Sequence, residues 1–314
     1  MSIRPEDIQR VKGQGFLNNK GTDCFNARIL TTNGNLSTEQ VRAIAEAADR
    51  YGCGRVQFTS RMTVELPGIP YDKIPEFQAF LGEHGLYTGG TGPKVRPVVS
   101  CKGTTCQYGL YDTFALSEKI HERFYLGYHT VKLPHKFKIA CGGWPNNCVK
   151  PDINDLGIIG QLVPNVDTDS CNGCKKCQVA VACPMKAVSV EDGEIEINED
   201  VCNNCGRCIN TCPFDVIEDG VPGFRITIGG RWGKKVNRGQ ALNKIFTTEE
   251  ELLDTVEKAI LFFREQGKTG ERFADTIERL GFEYCEKEIL GDAIMARKQE
   301  ILDAQLHLVG GATC

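Results

Sequence analysis

Apolar positions near the start of the chain follow the period of an amphipathic helix. A capping box of Ser37 and Gln40 begins this helix, and Gly52 is its expected stop. The residues of its apolar stripe are Val41, Ile44, Ala45 and Ala48. Their spacing places them on one helical face, so we expect that face to be buried.

A strict alternation of apolar and polar residues follows this helix. One half-buried strand is predicted over 55–66, with every second residue facing the core. The inward residues are Val56, Phe58, Ser60, Met62, Val64 and Leu66. A strand at 27–32 and a helix at 74–81 complete a β-α-β-α layer unit.

The rest of the chain continues this mixture around a cysteine-rich segment. Further strands are predicted at 95–99, 136–140 and 224–228, and further helices at 113–124 and 247–267. Thr247 and Glu250 are expected to cap the last helix. The predicted fold class is α+β, with the flanking segments forming one α+β body into which the cysteine-rich segment is inserted.

Composition and charge narrow the class of protein. The 314 residues carry a formal net charge of -4 and a sequence pI of about 5.8, which argues against a nucleic-acid-binding protein. No apolar run is long enough to span a membrane, and the N-terminus lacks the apolar core of a secretion signal. We therefore expect a cytoplasmic protein with no membrane span.

Sixteen cysteines are the strongest chemical feature of the sequence. In a reducing cytoplasm, regularly spaced cysteines are typical of metal or cluster ligands, and disulfides are rare. Eight of them form two runs, Cys171, Cys174, Cys177 and Cys183, then Cys202, Cys205, Cys208 and Cys212. The second run has the C-x2-C-x2-C-x3-C-P spacing of bacterial two-cluster ferredoxins, and the first has five residues before its last cysteine.

Two such runs predict two 4Fe–4S clusters that exchange ligands, because the fourth cysteine of each run binds the other cluster. One cluster is expected at Cys171, Cys174, Cys177 and Cys212. The other is expected at Cys202, Cys205, Cys208 and Cys183. Zinc held by C-x2-C pairs is the alternative, but two triplets that are each followed by Cys-Pro favour clusters. The segment therefore predicts an anaerobic redox protein that moves single electrons.

Two further cysteine groups precede this segment, Cys101-Lys-Gly-Thr-Thr-Cys106 and Cys141-Gly-Gly-Trp-Pro-Asn-Asn-Cys148. With the stretches LPHKFKIA and WPNNC, the chain resembles the sirohaem-dependent sulfite and nitrite reductases over about residues 14 to 265. The likeness is greatest to the small catalytic subunit of anaerobic, dissimilatory-type sulfite reductases, which carries an inserted two-cluster ferredoxin. The resemblance implies a ferredoxin-like half-domain at 1–90, a sirohaem and 4Fe–4S domain at 91–161 and 218–314, and the ferredoxin insert at 162–217.

The resemblance also implies a role for each matching residue. A third 4Fe–4S cluster, coupled to sirohaem, would be held by Cys101, Cys106 and Cys148, and Cys148 would bridge to the sirohaem iron. The substrate would contact Arg28 and Arg96, and it would be bound and protonated by Lys136 and Lys138. The expected partners of the sirohaem carboxylates are Arg61, Lys94 and Arg231, with Arg61 the clearest match.

This sequence departs from the family pattern at the third cluster. The first cysteine pair encloses four residues where the family has five, and Trp144 stands where a cluster cysteine is expected. Cys141 is the predicted substitute ligand, because the two glycines after it make the loop adaptable. The residues assigned no ligand role are Cys24, Cys53, Cys285, Cys314 and the five histidines.

The implied activity is the six-electron reduction of sulfite or nitrite, with electrons entering through the two ferredoxin-type clusters. A small oxyanion suits the basic residues, because guanidinium groups hold it by paired hydrogen bonds and ammonium groups supply protons. The alternative is an electron-transfer or sirohaem-binding subunit without this activity, since Trp144 replaces a cysteine. We expect an electron-donor protein or flavin subunit as partner, and a homodimer or a heterodimer with a similar chain.

Overall fold

The computed structural model describes residues 3–308, and Cys314 lies outside them. Within this range the chain is a mixture of helices and strands, which confirms the predicted α+β class. The helices are α1 (Pro5–Lys12), α2 (Thr38–Tyr51), α3 (Ile74–Glu83), α4 (Thr113–Ile120), α5 (Gln178–Ala182), α6 (Glu249–Gln266), α7 (Phe273–Leu280), α8 (Phe282–Leu290), α9 (Ala293–Ala296) and α10 (Lys298–Asp303). The strands are β1 (Phe16–Asn18), β2 (Cys24–Ile29), β3 (Gln57–Phe58), β4 (Val64–Pro70), β5 (Val99–Ser100), β6 (Ile139–Gly142), β7 (Leu156–Pro164), β8 (Val188–Glu191), β9 (Glu194–Ile197), β10 (Gly220–Ile228) and β11 (Gln240–Phe246).

The first sheet is antiparallel and has the order β1-β2-β4-β3. Helix α2 packs on it, and the predicted capping box of Ser37 and Gln40 is confirmed, as is the end at Gly52. The buried residues of α2 are Ala43, Ile44, Ala47, Ala48 and Tyr51. The predicted stripe is therefore wrong at two residues, Ala45 and Val41, which are exposed, Val41 by 52%. The helix is rotated so that the face with the other alanines and Tyr51 packs on the core.

The alternating stretch at 55–66 is a hairpin, so the prediction of one continuous strand is wrong. β3 pairs with β4 through Phe58↔Val64. The turn between them is closed by the Thr59 N–H, which donates to Thr63 O at 2.9 Å. The alternation of apolar and polar residues continues through the turn, so the sequence pattern does not show that the chain reverses direction there. Phe58, predicted to face the core, is 81% exposed.

The second sheet has the order β11-β10-β7-β6-β5. Strands β5, β6 and β7 run parallel, whereas β10 is antiparallel to β7 and β11. The sequence pattern missed β7 at the centre, because its residues 156–161 are all buried and carry no polar alternation. Strands predicted at 95–99 and 136–140 are shifted, since β5 begins at Val99 and β6 at Ile139.

Helix α6 is the central helix of the larger core. Its residues 255–263 are all buried, because α7, α8, α9, α10 and β11 pack around it. The helix ends before Gly267 as predicted. Its cap is Thr248, whose side chain accepts the Glu251 N–H, so the predicted cap at Thr247 is wrong by one residue. None of the helices in 3–308 has the length and apolar character needed to cross a membrane.

The segment between β7 and β10 contains the two cysteine runs. It holds α5, the β8–β9 hairpin and a small core of Val179, Ile195, Val216 and Ile217. Its two ends meet, because Pro164 at the end of β7 pairs with Gly220 at the start of β10. The domain boundaries after residues 90, 161 and 217 stay predictions.

Candidate functional site

A cavity of about 210 Å³ is lined by residues from both larger sheets and their connections. Its basic lining residues are Arg28, Arg61, Arg96, Lys136 and Lys138, and we call it the basic cavity. Arg28 lies on β2, Arg61 lies in the β3–β4 turn, and the other three lie on the segments leading into β5 and β6. The fold thus brings together all four residues predicted to bind or protonate a substrate, and Arg61 with them.

Arg28 and Arg96 are both anchored at the carbonyl of Gly90. Arg28 Nη1 donates to Gly90 O at 3.2 Å, and Arg96 Nη1 donates to the same oxygen. Glu65 accepts from Arg28 Nε at 2.9 Å and from its Nη2, which neutralises one of the five charges. Burial, and then the charge of Arg28, lower the pKa of Arg96 to about 10, so Arg96 remains a cation at neutral pH.

Arg61 links the β3–β4 turn to the second sheet. Its Nη1 donates to Asn154 Oδ1 at 2.8 Å, and its Nη2 donates to Pro97 O at 2.6 Å and to Ile139 O at 3.2 Å. Burial lowers the pKa of Arg61 to about 10. The alternating pattern had placed Arg61 on the polar face of a strand, whereas the side chain lies in a turn and is held by three different parts of the chain.

Lys138 lies beside the buried carboxylate of Asp155. Its backbone N–H donates to Asp155 Oδ2 at 2.9 Å, and Arg272 Nη2 contacts the two oxygens of the same carboxylate at 2.9 Å and 2.7 Å. Burial, followed by the charges of Arg61 and Arg272, lowers the pKa of Lys138 to about 8. A lowered pKa makes the ammonium group a better proton donor near neutral pH.

Lys136 lies on the wall of the basic cavity next to His135. The backbone N–H of Lys136 donates to His135 Nδ1 at 2.8 Å. Burial, and then the charge of Lys136, lower the pKa of His135 to about 4. The imidazole is therefore neutral near pH 7 and adds no charge to this wall of the cavity.

Lys94 and Arg231 do not join the basic cavity. Lys94 lines a neighbouring cavity of about 330 Å³, which shares Gly90 with the basic cavity. Arg231 is buried, and its Nη1 contacts Asp275 Oδ1 at 2.6 Å. Their contact with sirohaem carboxylates stays a prediction.

The segments 101–106 and 141–148 lie side by side, and we call them the upstream cysteine loops. Cys141, at the start of the second segment, lies on β6. The Cys101 N–H donates to Cys141 O at 3.0 Å, and the Gly143 N–H approaches Cys101 Sγ at 3.1 Å. A Cβ added to Gly143 would lie 2.9 Å from Gly103 Cα, so this close approach requires glycine. The two loops therefore pack backbone to backbone around Cys101.

Cys141 has different surroundings from the other predicted ligands of this cluster. Cys106 is half-buried and Cys148 is exposed, whereas Cys141 is 0% exposed within the larger core. Burial, and then the neighbouring Cys101, raise the pKa of the Cys141 thiol above its ordinary value. Ligation would require a cation that stabilises the thiolate. A role for Cys141 as the substitute ligand stays a prediction.

Three cysteines of the second run and the last cysteine of the first run line one small cavity. Its lining includes Cys183, Cys202, Cys205 and Cys208, which are the four ligands predicted for one ferredoxin-type cluster. Burial raises the pKa of the Cys208 thiol to about 11. Of the other predicted set, Cys171, Cys177 and Cys212 pack against the small core, and Cys174 is exposed. Both ligand sets stay predictions.

Unpaired polar atoms at these sites fit the cofactors that the sequence implies. Among residues 3–308, Arg61 Nε and Arg96 Nε are buried without a hydrogen-bond partner, and both side chains line the basic cavity. A buried donor is costly unless it is paired, so these atoms suit an anionic group. Tyr111 Oη is likewise buried without a partner in the described part of the chain, and its pKa is raised by burial and then by Cys141 and Cys101. A hydroxyl donor beside two cysteines suits a cluster sulfur.

Sequence reasoning missed Asp155, Arg272 and Glu65. Asp155 and Arg272 are 117 positions apart, so no local motif connects them. One signal for Asp155 was present, because a charged residue directly before an apolar run needs a buried partner. Glu65 was placed on the polar face of the predicted strand, but its pairing with Arg28 depends on the β2–β4 register.

Two families match the chain. Residues 91–294 match the family described as "Nitrite and sulphite reductase 4Fe-4S domain", and residues 18–84 match the "Nitrite/Sulfite reductase ferredoxin-like half domain". The crystal structure of dissimilatory sulfite reductase I has a TM-score of 0.68 to this chain at 23% identity, covering 85% of this chain and 69% of that one. At this identity the likeness shows a shared fold.

Curated relatives agree with these family matches. The coenzyme F420-dependent sulfite reductase of Methanocaldococcus jannaschii is 32% identical over 247 residues, which cover 78% of this chain but 38% of that protein. One subunit of the anaerobic sulfite reductase of Salmonella typhimurium is 28% identical over 288 residues, which cover 84% of this chain and 82% of that protein. With the predicted resemblance confirmed over most of its length, the chain belongs to the nitrite and sulphite reductase family.

Proposed function

We propose that this chain is an oxidoreductase that reduces sulfite, or nitrite, by six electrons with the help of sirohaem and 4Fe–4S clusters. The observation that carries the proposal is the basic cavity, where five cationic side chains converge. The charge of Glu65 offsets that of Arg28, so the cavity keeps a net positive charge. Such a cavity attracts a small oxyanion and favours the transfer of this anion from bulk water into the protein.

Arg28 and Arg96 are suited to orient this anion. Both are held at Gly90 O, which limits the rotation of their guanidinium groups before a substrate arrives. A preorganised donor costs little further entropy on binding, and guanidinium groups match an oxyanion with paired hydrogen bonds. Arg96 Nε, buried and without a partner among the described residues, is an available donor.

Lys136 and Lys138 are suited to supply protons. Each oxygen that leaves the substrate departs as water and takes up two protons. Lys138, with a pKa of about 8, is protonated at neutral pH yet releases its proton more readily than an ordinary lysine. Asp155 and Arg272 fix the backbone at Lys138 and so hold the position of this donor.

Bound sirohaem supplies the electronic chemistry of the reduction, and the clusters deliver electrons singly. The residues that would hold two ferredoxin-type clusters are Cys171, Cys174, Cys177 and Cys212, and Cys202, Cys205, Cys208 and Cys183. The residues that would hold the third cluster are Cys101, Cys106, Cys141 and Cys148. This cluster count and the ligand of each iron are part of the proposal.

The alternative, an electron-transfer or sirohaem-binding subunit without its own sulfite reductase activity, is not favoured. The relatives at 32% and 28% identity carry the name sulfite reductase. A subunit that only carried electrons would have no use for five convergent cations, which are costly to bury together. Trp144 stands where a cluster cysteine is expected, and we propose that Cys141 supplies the missing ligand instead.

The partners in the proposal are an electron-donor protein or flavin subunit and a second chain of this kind, identical or similar. Larger reductases of the resembled family contain the α+β unit twice around one active site, and residues 3–308 contain it once. Two-fold symmetry is the default for such a pair. Light scattering of the eluted protein should give about twice the mass of one chain, which is 34.7 kDa. A fully active monomer would contradict the pairing.

The decisive test is turnover by anaerobically purified protein with a reduced viologen as electron source. We expect a sirohaem absorption spectrum and the formation of sulfide from sulfite, or of ammonia from nitrite. Arg96→Met should lower turnover by roughly a hundredfold, since it removes a charged donor at the reacting centre. The matched control is Arg50→Met, because Arg50 is an exposed arginine of α2. Protein with full iron and sirohaem that consumes neither anion would reject the proposed function.

A further inference from the structure

Trp144 is the residue that most clearly separates this chain from the pattern of the family it resembles, and its contacts are specific. Its ring stacks on that of Tyr108, with centroids 4.8 Å apart and an interplanar angle of 30°. Arg207 Cζ lies 5.0 Å from the centroid of the same Tyr108 ring. These three side chains form a continuous series, which we call the Arg-Tyr-Trp stack.

The Arg-Tyr-Trp stack joins parts of the chain that carry different cysteine sets. Tyr108 follows Cys106 by two residues, and Trp144 precedes Cys148 by four, so both belong to the upstream cysteine loops or their immediate continuation. Arg207 lies between Cys205 and Cys208 in the loop 202–208, which we call the second-run loop. The stack therefore spans from one predicted cluster site to the next.

A second set of contacts holds the second-run loop on the same side of the molecule. The Leu162 N–H, near the end of β7, donates to Asn204 O at 2.8 Å, and Leu162 forms an isolated bridge with Cys205. Gly206 has φ 70°, and a Cβ there would lie 2.7 Å from Leu162 Cδ2. The backbone of the second-run loop thus packs directly on β7, and the close approach at Gly206 requires glycine.

The backbone of the upstream cysteine loops supports the aromatic pair. The Leu110 N–H donates to Gly143 O at 3.0 Å, which ties the residues after Tyr108 to the residue before Trp144. Tyr108 remains 38% exposed. A large exposed aromatic residue that is ordered by stacking against both a ring and a guanidinium group is typical of a contact that fixes two loops.

We propose that Arg207, Tyr108 and Trp144 are positioning residues that fix the second-run loop beside the upstream cysteine loops. In this role Trp144, which stands where the resembled family has a cluster cysteine, is the surface on which Tyr108 stacks. The inference rests on the proposed function only in treating the two cysteine sets as cluster sites. It makes the cluster of Cys202, Cys205 and Cys208 the one that adjoins the upstream cysteine loops.

The test is residue-resolved hydrogen exchange on cluster-loaded protein under anaerobic conditions. The Leu162 amide reports the contact directly, because it donates to Asn204 O. In Tyr108→Leu its exchange should quicken by roughly tenfold, equivalent to about 1.4 kcal/mol of local stability. Tyr108→Phe keeps the ring and should exchange like the wild type. The matched control is Tyr87→Leu, since Tyr87 is a tyrosine that is 66% exposed.

A spectroscopic measurement accompanies the exchange data. In electron paramagnetic resonance of the fully reduced protein, Tyr108→Leu should weaken the magnetic interaction between the second-run and upstream clusters at unchanged iron content. Should Tyr108→Leu fail to retain iron, Arg207→Met serves in its place, because it removes the cation and leaves both rings. Wild-type exchange at Leu162 in whichever of the two variants retains full iron would overturn the inference. Absence of sulfite and nitrite turnover would reject the proposed function and leave this test unaffected.

Discussion

The ammonium group of Lys138 has a pKa closer to neutral pH than those of Arg61, Arg96 and the neighbouring His135. Its pKa is lowered to about 8, whereas those of Arg61 and Arg96 are about 10 and that of His135 is about 4. Between pH 6 and pH 9, Lys138 therefore changes its protonation state, while Arg61 and Arg96 stay mainly protonated and His135 stays neutral.

We predict that turnover falls as the pH rises through about 8, because the protonated donor is present below this pKa and lost above it. Lys138→Arg should abolish this limb of the pH profile, since a guanidinium group stays protonated throughout. It should also lower the plateau, because guanidinium is a poor proton donor. The measurement is sulfite turnover against pH at saturating substrate. An unchanged limb in Lys138→Arg would assign the titration to another group.

A second prediction at the residue scale concerns Cys141. Cys141→Ser should remove about four iron atoms per chain, the content of one 4Fe–4S cluster, together with the signal of the coupled cluster. Cys285→Ser is the matched control, because both cysteines are 0% exposed in the same core. Iron assay and electron paramagnetic resonance measure the outcome. Full iron in Cys141→Ser would show that the cluster has a different fourth ligand.

Some residues of the basic cavity could be chosen from the sequence because they stand in stretches that resemble the family. The lysines of HKFK are an example, and the fold brings Lys136 and Lys138 to one cavity. The partners that tune these residues were not predictable. Asp155 and Arg272 meet only when β7 and α7 are assembled, since Arg272 directly precedes α7 and Asp155 directly precedes β7.

At the scale of elements, the N-terminal cap of α6 allows a precise test. Thr248→Ala should cost about 1 kcal/mol, because the Glu251 N–H loses its acceptor in the first turn. Thr247→Ala is the control, since Thr247 precedes the observed cap by one residue. Thermal unfolding of the holoprotein compares the two. Equal losses in both variants would contradict the assignment of the cap.

Helices were easier to predict from the pattern than strands. Helix α2 begins and ends where its capping box and Gly52 indicated. The hairpin of β3 and β4 was predicted as one strand, because the two-residue period continues through its turn. Strand β7 was missed, because a central strand covered on both faces has no polar alternation. Tertiary burial, which the local sequence does not encode, decides such cases.

At the scale of the whole molecule, the cysteine sets predict the metal content. Fully loaded protein should contain about twelve iron atoms in clusters, four for each 4Fe–4S site, and one more in sirohaem. Iron and acid-labile sulfide assays on anaerobically purified protein measure this content. A value near eight without haem would leave the two ferredoxin-type clusters and remove the catalytic proposal.

The pairing of Pro164 with Gly220 has a consequence for how the molecule is divided. These residues are partners on adjacent antiparallel strands, so the 165–219 segment leaves and re-enters the sheet at the same point. Antiparallel neighbours can be joined by a two-residue turn, which would keep the register of β7 and β10. No lining residue of the basic cavity comes from 165–219. We therefore expect that a chain shortened by 165–219, the proposed electron-carrying segment, would keep the register of β7 and β10 and every residue of the proposed anion site.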